Sequence, residues 1–463
     1  MINFYKDALQ VNGKYLLVLK ILYFSVLNYF IYQFVFINAN VINTFEDEII
    51  SLASSYSFFT TLNFVAEPLI PGNYGAGLTS GPLSAVGGVA GWGLSKNFVI
   101  SRISNFYYVV LLQIIFSYLL SKYFKLSLNN LILFVTVQVT LVPWWIGALY
   151  GLGEIASTII FVNSLFLFSK KRPLSLFLFS SSIIYGKFLL ALPFTIFFIA
   201  DLIFTPSVEK KYKRFIKDLI PITIPFVIWY TLIIIKTGFE NFIIYFSEFF
   251  GFIFLFDTSG VESARNISVD LILNQLRESE VSGWSSASLI RTLVVPILFG
   301  MIFLYNKESI NNFFGLNVQA LLLSVFVIYL WFWILSPLKY IRQTQHFTLI
   351  IIFIFFYCLV AGIFAKDIQN IFILSVISLF FSNLLLILVF NSLIYLIFIS
   401  KLKLENKNIF TNLVFAVFLL SNIIISTKED SLKEKVNLDF PECANGLALE
   451  SCYSDYLYYE LGN

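Results

Sequence analysis

The sequence predicts an all-α membrane protein, a polytopic bundle of about 11–13 transmembrane helices with two long extracytoplasmic loops. Three observations predict it. First, 59% of the 463 residues are hydrophobic and only 12% are charged, about half the charge of an average soluble domain. Folding buries at most about three quarters of a chain's surface, so a sequence with 54 Phe carries too much apolar surface for water. Second, the apolar residues come in runs of span length, punctuated by charge. Third, Lys and Arg gather in alternate loops. The same composition excludes a disordered chain, and a net charge of +3 does not suggest a nucleic-acid partner.

The first apolar run, 15–37, is too long for a cleavable signal and lacks a small-residue cleavage site, so it reads as a signal anchor. Further spans are expected near 105–121, 130–148, 153–169, 173–186, 188–206, 219–236, 288–305, 317–336, 347–364 and 409–426. The run 370–399 would reach about 45 Å as one helix, against a hydrocarbon core of roughly 30 Å. Ser382 and Asn383 lie at its middle, so it divides into two short helices and the total comes to about 13 spans.

Lys6, Lys14, Lys122, Lys125, Lys170, Lys171, Arg172, Lys210, Lys211, Lys213, Arg214 and Lys217 alternate correctly with these spans and mark the cytoplasmic loops. The opposite loops hold Glu46, Asp47, Glu48, Glu67, Glu154, Glu240, Glu248, Asp257, Glu262 and Asp270. The expected setting is a bacterial cell membrane with the acidic loops outside. Residues 1–426 form the membrane domain and 427–463 a polar tail, extracytoplasmic if 370–399 is a hairpin. Cys358, inside an apolar run, reads as inert packing, whereas Cys443 and Cys452 in the tail either pair in an oxidising compartment or stay free.

Two outer loops, 38–104 and 237–287, are long. Loops beyond about 15 residues are usually functional or disordered, and two on one face argue for a site there. The first carries an amphipathic helix near 46–62 and then a Gly/Pro/Ser-rich stretch. The second begins with the apolar run 241–256, which either lies in the interface or re-enters the membrane.

Glu46, Asp47 and Glu48 suit the positive end of a helix dipole, or a site. After them come Asn73-Tyr74, Thr79-Ser80-Gly81-Pro82, Gly87-Gly88, Gly91-Trp92-Gly93 and Arg102, which closes the loop. Glycines of this kind let backbone approach a ligand or let helices pack closely. Trp144 and Trp145 suit either a sugar platform or an interfacial aromatic belt.

An acid pair after span one, an amphipathic helix, a Gly-Pro loop and an Arg before span two together resemble the first outer loop of the GT-C integral-membrane glycosyltransferases. These use polyprenyl- or dolichyl-phosphate sugars. Asp47-Glu48 in FEDEIISLASSY resembles their aspartate-glutamate motif. TSGPLSAVGGVAGWGLSKNFVISRISNFYY is similar to the loop, helix and Arg of the protein mannosyltransferase and lipid A aminoarabinose transferase branch. PWWIGALYGLGEIASTIIF resembles the second outer loop, with Glu154 at its acidic position, and SSIIYGKFLLALP the Lys-containing turn, with Lys187 at the outer membrane edge. LKYIRQTQHFTLIIIFI resembles the late Arg motif, matching Arg342, although it reads Ile341-Arg342 rather than Arg-Tyr and carries His346. The resemblance covers roughly residues 10–365.

The resemblance implies an inverting glycosyltransferase that moves sugar from a polyprenyl-phosphate donor to a lipid, glycan or protein acceptor at the outer face. Asp47 becomes the expected base for the acceptor hydroxyl, work worth about 10²–10⁴-fold, with Glu48 beside it. Arg342, Arg102 and Lys187 are the expected cations for the donor phosphate, and Glu154, Tyr74 and His346 the expected substrate contacts. Asp47, Glu48 and Glu154 offer an oxygen set suited to magnesium or manganese. Enzymes of this fold include metal-using and metal-free examples, so the cofactor stays open. Two alternatives remain at this point: a lipid-linked oligosaccharide flippase, and an O-antigen polymerase or ligase. A flippase would carry charge deep in several spans, and polymerases usually rely on Arg-rich outer loops. The outer loops here are acidic instead.

Overall fold

The computed structural model describes residues 81–95, 97–126, 153–204, 208–250, 299–330 and 353–358, with shorter pieces at 35–36, 39, 51–52, 55–56, 58–60, 62, 135, 144, 147–149, 151, 297, 350–351 and 360–363. Asp47, Glu48, Tyr74, Arg342 and His346 lie outside the described residues, as do Trp145, Cys443, Cys452, the expected spans beyond 364 and the polar tail. All regular structure among the described residues is helical.

The Gly-rich stretch of the first outer loop is largely a helix, α1 (Val86–Ser95), packed on α2 (Phe98–Phe124). A Cβ on Gly87 would come within 2.4 Å of Tyr108 Cβ, and one on Gly91 within 2.5 Å of Ser104 Oγ. Ser101 Oγ donates to the Gly88 carbonyl at 2.8 Å. Of the two meanings open for these glycines, close helix packing is the one observed. The Asn97 side chain caps α2 by accepting from Ile100 N at 3.1 Å. Lys125 ends it in the left-handed conformation, φ 52°. α2 therefore exceeds the expected span 105–121 at both ends. Arg102, expected to close the loop, sits in the second turn of the helix.

α3 (Glu154–Leu167) is buried along its whole length. It turns at 168–171 into α4 (Arg172–Ile184), whose first turn carries a Pro at no cost because those N–H groups have no helical partner. A 3₁₀ turn (Phe188–Leu190) leads into α5 (Ala191–Phe204), followed by α6 (Val208–Thr237) with Pro221 and Pro225 inside it. Gly238, at φ +82°, breaks α6 from α7 (Phe239–Phe250), so the apolar run after 237 begins as a helix.

α8 (Lys307–Phe314) and α9 (Val318–Leu330) meet at a 105° bend. Gly315 makes that bend at φ +63°, where a Cβ would also strike Ser169 Cβ at 2.7 Å. Ser169 Oγ donates to the Phe314 carbonyl. Phe124, Phe313 and Phe314 pack the same corner, the first two rings stacked and Phe314 edge-on to both.

Among the described residues, two segments are long and apolar enough to cross a membrane alone, Val99–Phe124 and Lys213–Thr237. α3, α4 and the 188–204 segment are shorter apolar helices. Outward faces are greasy: Ile220, Val227 and Ile235 on α6 are all more than 60% exposed, an arrangement suited to lipid and unfavourable in water.

Antiparallel α3 and α4 define two ends of the bundle. One end carries Lys170, Lys171 and Arg172. There Arg172 forks onto Asp218 at 2.7–3.0 Å and reaches Asp201 at 3.2 Å, while Arg214 takes Asp201 from the other side at 3.2 Å. The Arg172 guanidinium also lies over the Phe168 ring, 4.0 Å from its centroid. This clamp ties the starts of α4 and α6 to the end of α5.

Midway between the ends, the Tyr357 hydroxyl donates to Asn163 Oδ1 at 2.7 Å and accepts from Gln113 Nε2 at 3.1 Å. Gln113 also donates to Ser117 Oγ at 2.9 Å. All four side chains are buried, so they answer one another's polar groups where water cannot. Cys358 is buried and free, as inert packing requires.

Candidate active site

Three of the expected site segments meet at the end opposite Lys170, Lys171 and Arg172, and glycines determine how they fit. They meet through their backbones. Gly81 N donates to the Gly186 carbonyl at 2.8 Å, and Leu83 N to the Tyr185 carbonyl at 2.7 Å. The first outer loop is thus strapped to the turn that carries Lys187. A Cβ on Gly81 would fall 2.3–2.5 Å from Tyr185 and Ile184 backbone atoms, so only glycine fits.

Gly153 closes the third side. It sits at φ +81°, and a Cβ there would lie 2.5 Å from Ser84 Cβ and 3.2 Å from the Gly186 carbonyl. Gly186 in turn has Ser157 Cβ 2.6 Å from where its own Cβ would be. The start of α3 is therefore wedged between the first-loop strap and the Lys187 turn.

Glu154 stands at the first position of α3, where the helix dipole favours a carboxylate. It is 2% exposed, and its Oε1 lies 3.7 Å from Lys187 Nζ. Two of the expected site residues, 33 positions apart in sequence, are thereby brought into one ion pair. Lys187 is the more exposed of the two, with its side chain 16% exposed.

Arg102 is buried, and its Nη1 donates to the Ala39 carbonyl at 3.0 Å. Leu52 Cδ1 would lie 3.2 Å from a Cβ on Gly88. The described residues on either side of the Glu46–Glu48 acids therefore both touch the α1–α2 hairpin. Asn105 continues the chain of contacts: its Oδ1 accepts from Gly88 N at 3.3 Å, and its Nδ2 donates to the Ala148 carbonyl at 2.7 Å. A contiguous path thus runs from the acid loop's flanks through Arg102, Ser101 and Asn105 to Gly151, Gly153 and the Glu154–Lys187 pair.

Trp144 belongs to neither expected role. It is fully buried, edge-on to Phe106 with ring centroids 5.4 Å apart, which makes it core rather than sugar platform or interfacial belt. Sequence reasoning also missed Asn105, Ser84 and Ser157. The mid-bundle amides Gln113 and Asn163 do leave a signal: each is a polar side chain inside an apolar run.

Among the described residues, no group of three or more metal-binding side chains comes together. Glu154, one of the expected oxygen donors, faces the Lys187 ammonium, and Asp47 and Glu48 lie outside the described residues. A separate apolar cavity of about 370 Å³ opens between residues 299–304, α9 and residues 351–354, with Phe303, Leu322, Phe326, Tyr329 and Ile354 in its walls.

No family model and no curated protein sequence matches the chain. Two solved structures of ArnT from Cupriavidus metallidurans, one in the apo state and one bound to undecaprenyl phosphate, are similar to it. Each is 12% identical, with a TM-score of 0.48, covering 95% of this chain and 75% of the other. A likeness this distant speaks neither to the site nor to its chemistry.

Proposed function

We propose that the chain is a GT-C-type glycosyltransferase that moves a sugar from a polyprenyl-phosphate donor to a lipid, glycan or protein acceptor at the extracytoplasmic face. The observation that carries this reading is the Glu154–Lys187 pair, held where the first-loop strap, the start of α3 and the 185–187 turn interlock. These are the segments whose sequences resemble the family's outer loops. They lie at the end away from Lys170, Lys171 and Arg172, and short-loop cations favour the cytoplasm.

The chemistry needs what this end supplies. The acceptor oxygen bonds to the anomeric carbon as the bond from that carbon to the phosphate oxygen breaks. The electron pair leaves with polyprenyl phosphate, which gains a negative charge. The hydroxyl proton passes to a carboxylate, for which Asp47 is the candidate. Lys187 stabilises the departing phosphate, joined by Arg342; fixed cations at low dielectric do this well. The apolar cavity beside α9 has the character a polyprenyl tail needs.

The test is a donor screen. Purified protein in nanodiscs is given defined polyprenyl-phosphate sugars, and released polyprenyl phosphate is scored with and without chelator. Release by the wild type that falls at least 100-fold in Asp47→Asn and Lys187→Ala supports the reading. Undiminished release by both variants refutes the site assignment.

A further inference from the structure

Glu154 is expected from sequence to touch substrate. Its surroundings give it another role. It is 2% exposed and pairs with Lys187, whose side chain is the more open of the two. A partly buried lysine needs a counter-charge beside it and a fixed tether to stay in place.

Both are present. The backbone of the turn is held by the Gly81–Gly186 and Leu83–Tyr185 hydrogen bonds and by Lys187 N donating to the Ser182 carbonyl at 2.9 Å. The side chain is held by Glu154, itself fixed by the first turn of a fully buried helix. Ser157 Oγ turns back onto the Gly153 and Glu154 carbonyls, securing that turn.

We propose that Glu154 is a positioning residue: it holds the Lys187 ammonium in place, aimed at the donor phosphate, and it makes no contact with the sugar or acceptor. This role rests on the transferase reading above. It makes Glu154 and Lys187 one unit, contributed by two outer segments and effective only while the glycine seam holds them in register.

A double-variant cycle tests it with two readouts. Thermal unfolding is measured for Glu154→Gln, Lys187→Met and the pair together. If the side chains hold each other, each single variant lowers the midpoint and the double variant is no worse than the poorer single. Fully additive losses overturn the proposal whether or not the protein turns over donor. Donor turnover is then followed in the same set, with Glu154→Asp as the variant that preserves charge if Glu154→Gln folds poorly.

Glu154→Gln is expected to lose on the order of 10–100-fold in wild type and nothing further in Lys187→Met. Losses that multiply mean that Glu154 touches substrate itself, which also overturns the proposal. The exchanged pair, Glu154→Lys with Lys187→Glu, should recover none of the turnover, because the cation then sits on the wrong segment and at a helix N-terminus that disfavours it. Recovery of turnover would reduce the pair to a structural bridge. Wild type inactive with every donor, alongside a coupled unfolding cycle, would reject the transferase reading while leaving the pairing itself established.

Discussion

Gly81→Ala puts one methyl group into the narrowest place in the site. The new Cβ would lie 2.3 Å from Tyr185 C, 2.4 Å from its Cα and 2.5 Å from the Ile184 carbonyl oxygen. All three are backbone atoms, so no side chain can swing aside. Either the clash is absorbed, at a cost of about 1–3 kcal/mol for overpacking, or the strap parts from the turn. Parting forfeits the Gly81–Gly186 and Leu83–Tyr185 hydrogen bonds, at about 0.5–1.5 kcal/mol each. The cheaper route bounds the loss at about 1–3 kcal/mol. The functional effect should be larger than the stability effect, because a displacement of about 1 Å at a reacting group can cost 10²-fold. Gly93→Ala is the control: it lies on the exposed face of α1 with nothing within 4 Å of its Cβ, and Ala in a helix is favoured over Gly by about 0.5–1 kcal/mol. Unfolding midpoints in detergent and donor turnover are measured for both. Gly81→Ala should fall in both while Gly93→Ala holds or gains stability. Equal behaviour of the two variants would refute the seam.

Arg172→Ala should cost about 2–4 kcal/mol in unfolding, because it leaves Asp218 and Asp201 partly buried with their fork gone. An unchanged midpoint would count against the clamp. Tyr357→Phe should cost about 0.6–2 kcal/mol, the range for hydrogen bonds between membrane helices, and leave the donor KM unchanged. Trp144→Ala should cost about 3–5 kcal/mol, as for a large fully buried aromatic. It should leave the donor KM unchanged in whatever protein stays folded, whereas a raised KM would restore it as a sugar platform.

The helical class was legible because it follows from composition and from the length of the apolar runs. The pairing of Glu154 with Lys187 was legible only as two points on one face. Their contact depends on Gly81, Gly153 and Gly186, whose meaning lies in what stands opposite each of them. Glycine has no side chain to announce a contact, so Gly87, Gly88 and Gly91 read equally as ligand loop or helix face. The start of α2 was misjudged for a related reason: Asn97 caps it, yet Ser101, Arg102, Ser104 and Asn105 break the apolar run that usually marks a span. Asp201 and Asp218 drew no attention because their partners, Arg172 and Arg214, were already explained by the sidedness of the loops. The mid-bundle amides were missed because Gln113, Asn163 and Tyr357 come from three distant segments.

A polyprenyl phosphate carrying a photoreactive group next to its phosphate tests the central claim most directly. After crosslinking and digestion, label should concentrate in peptides containing 81–88, 153–157 and 185–188, and Lys187→Met should reduce it. Label confined to 122–126, 169–172 or 208–217, at the opposite end of the bundle, would contradict the account.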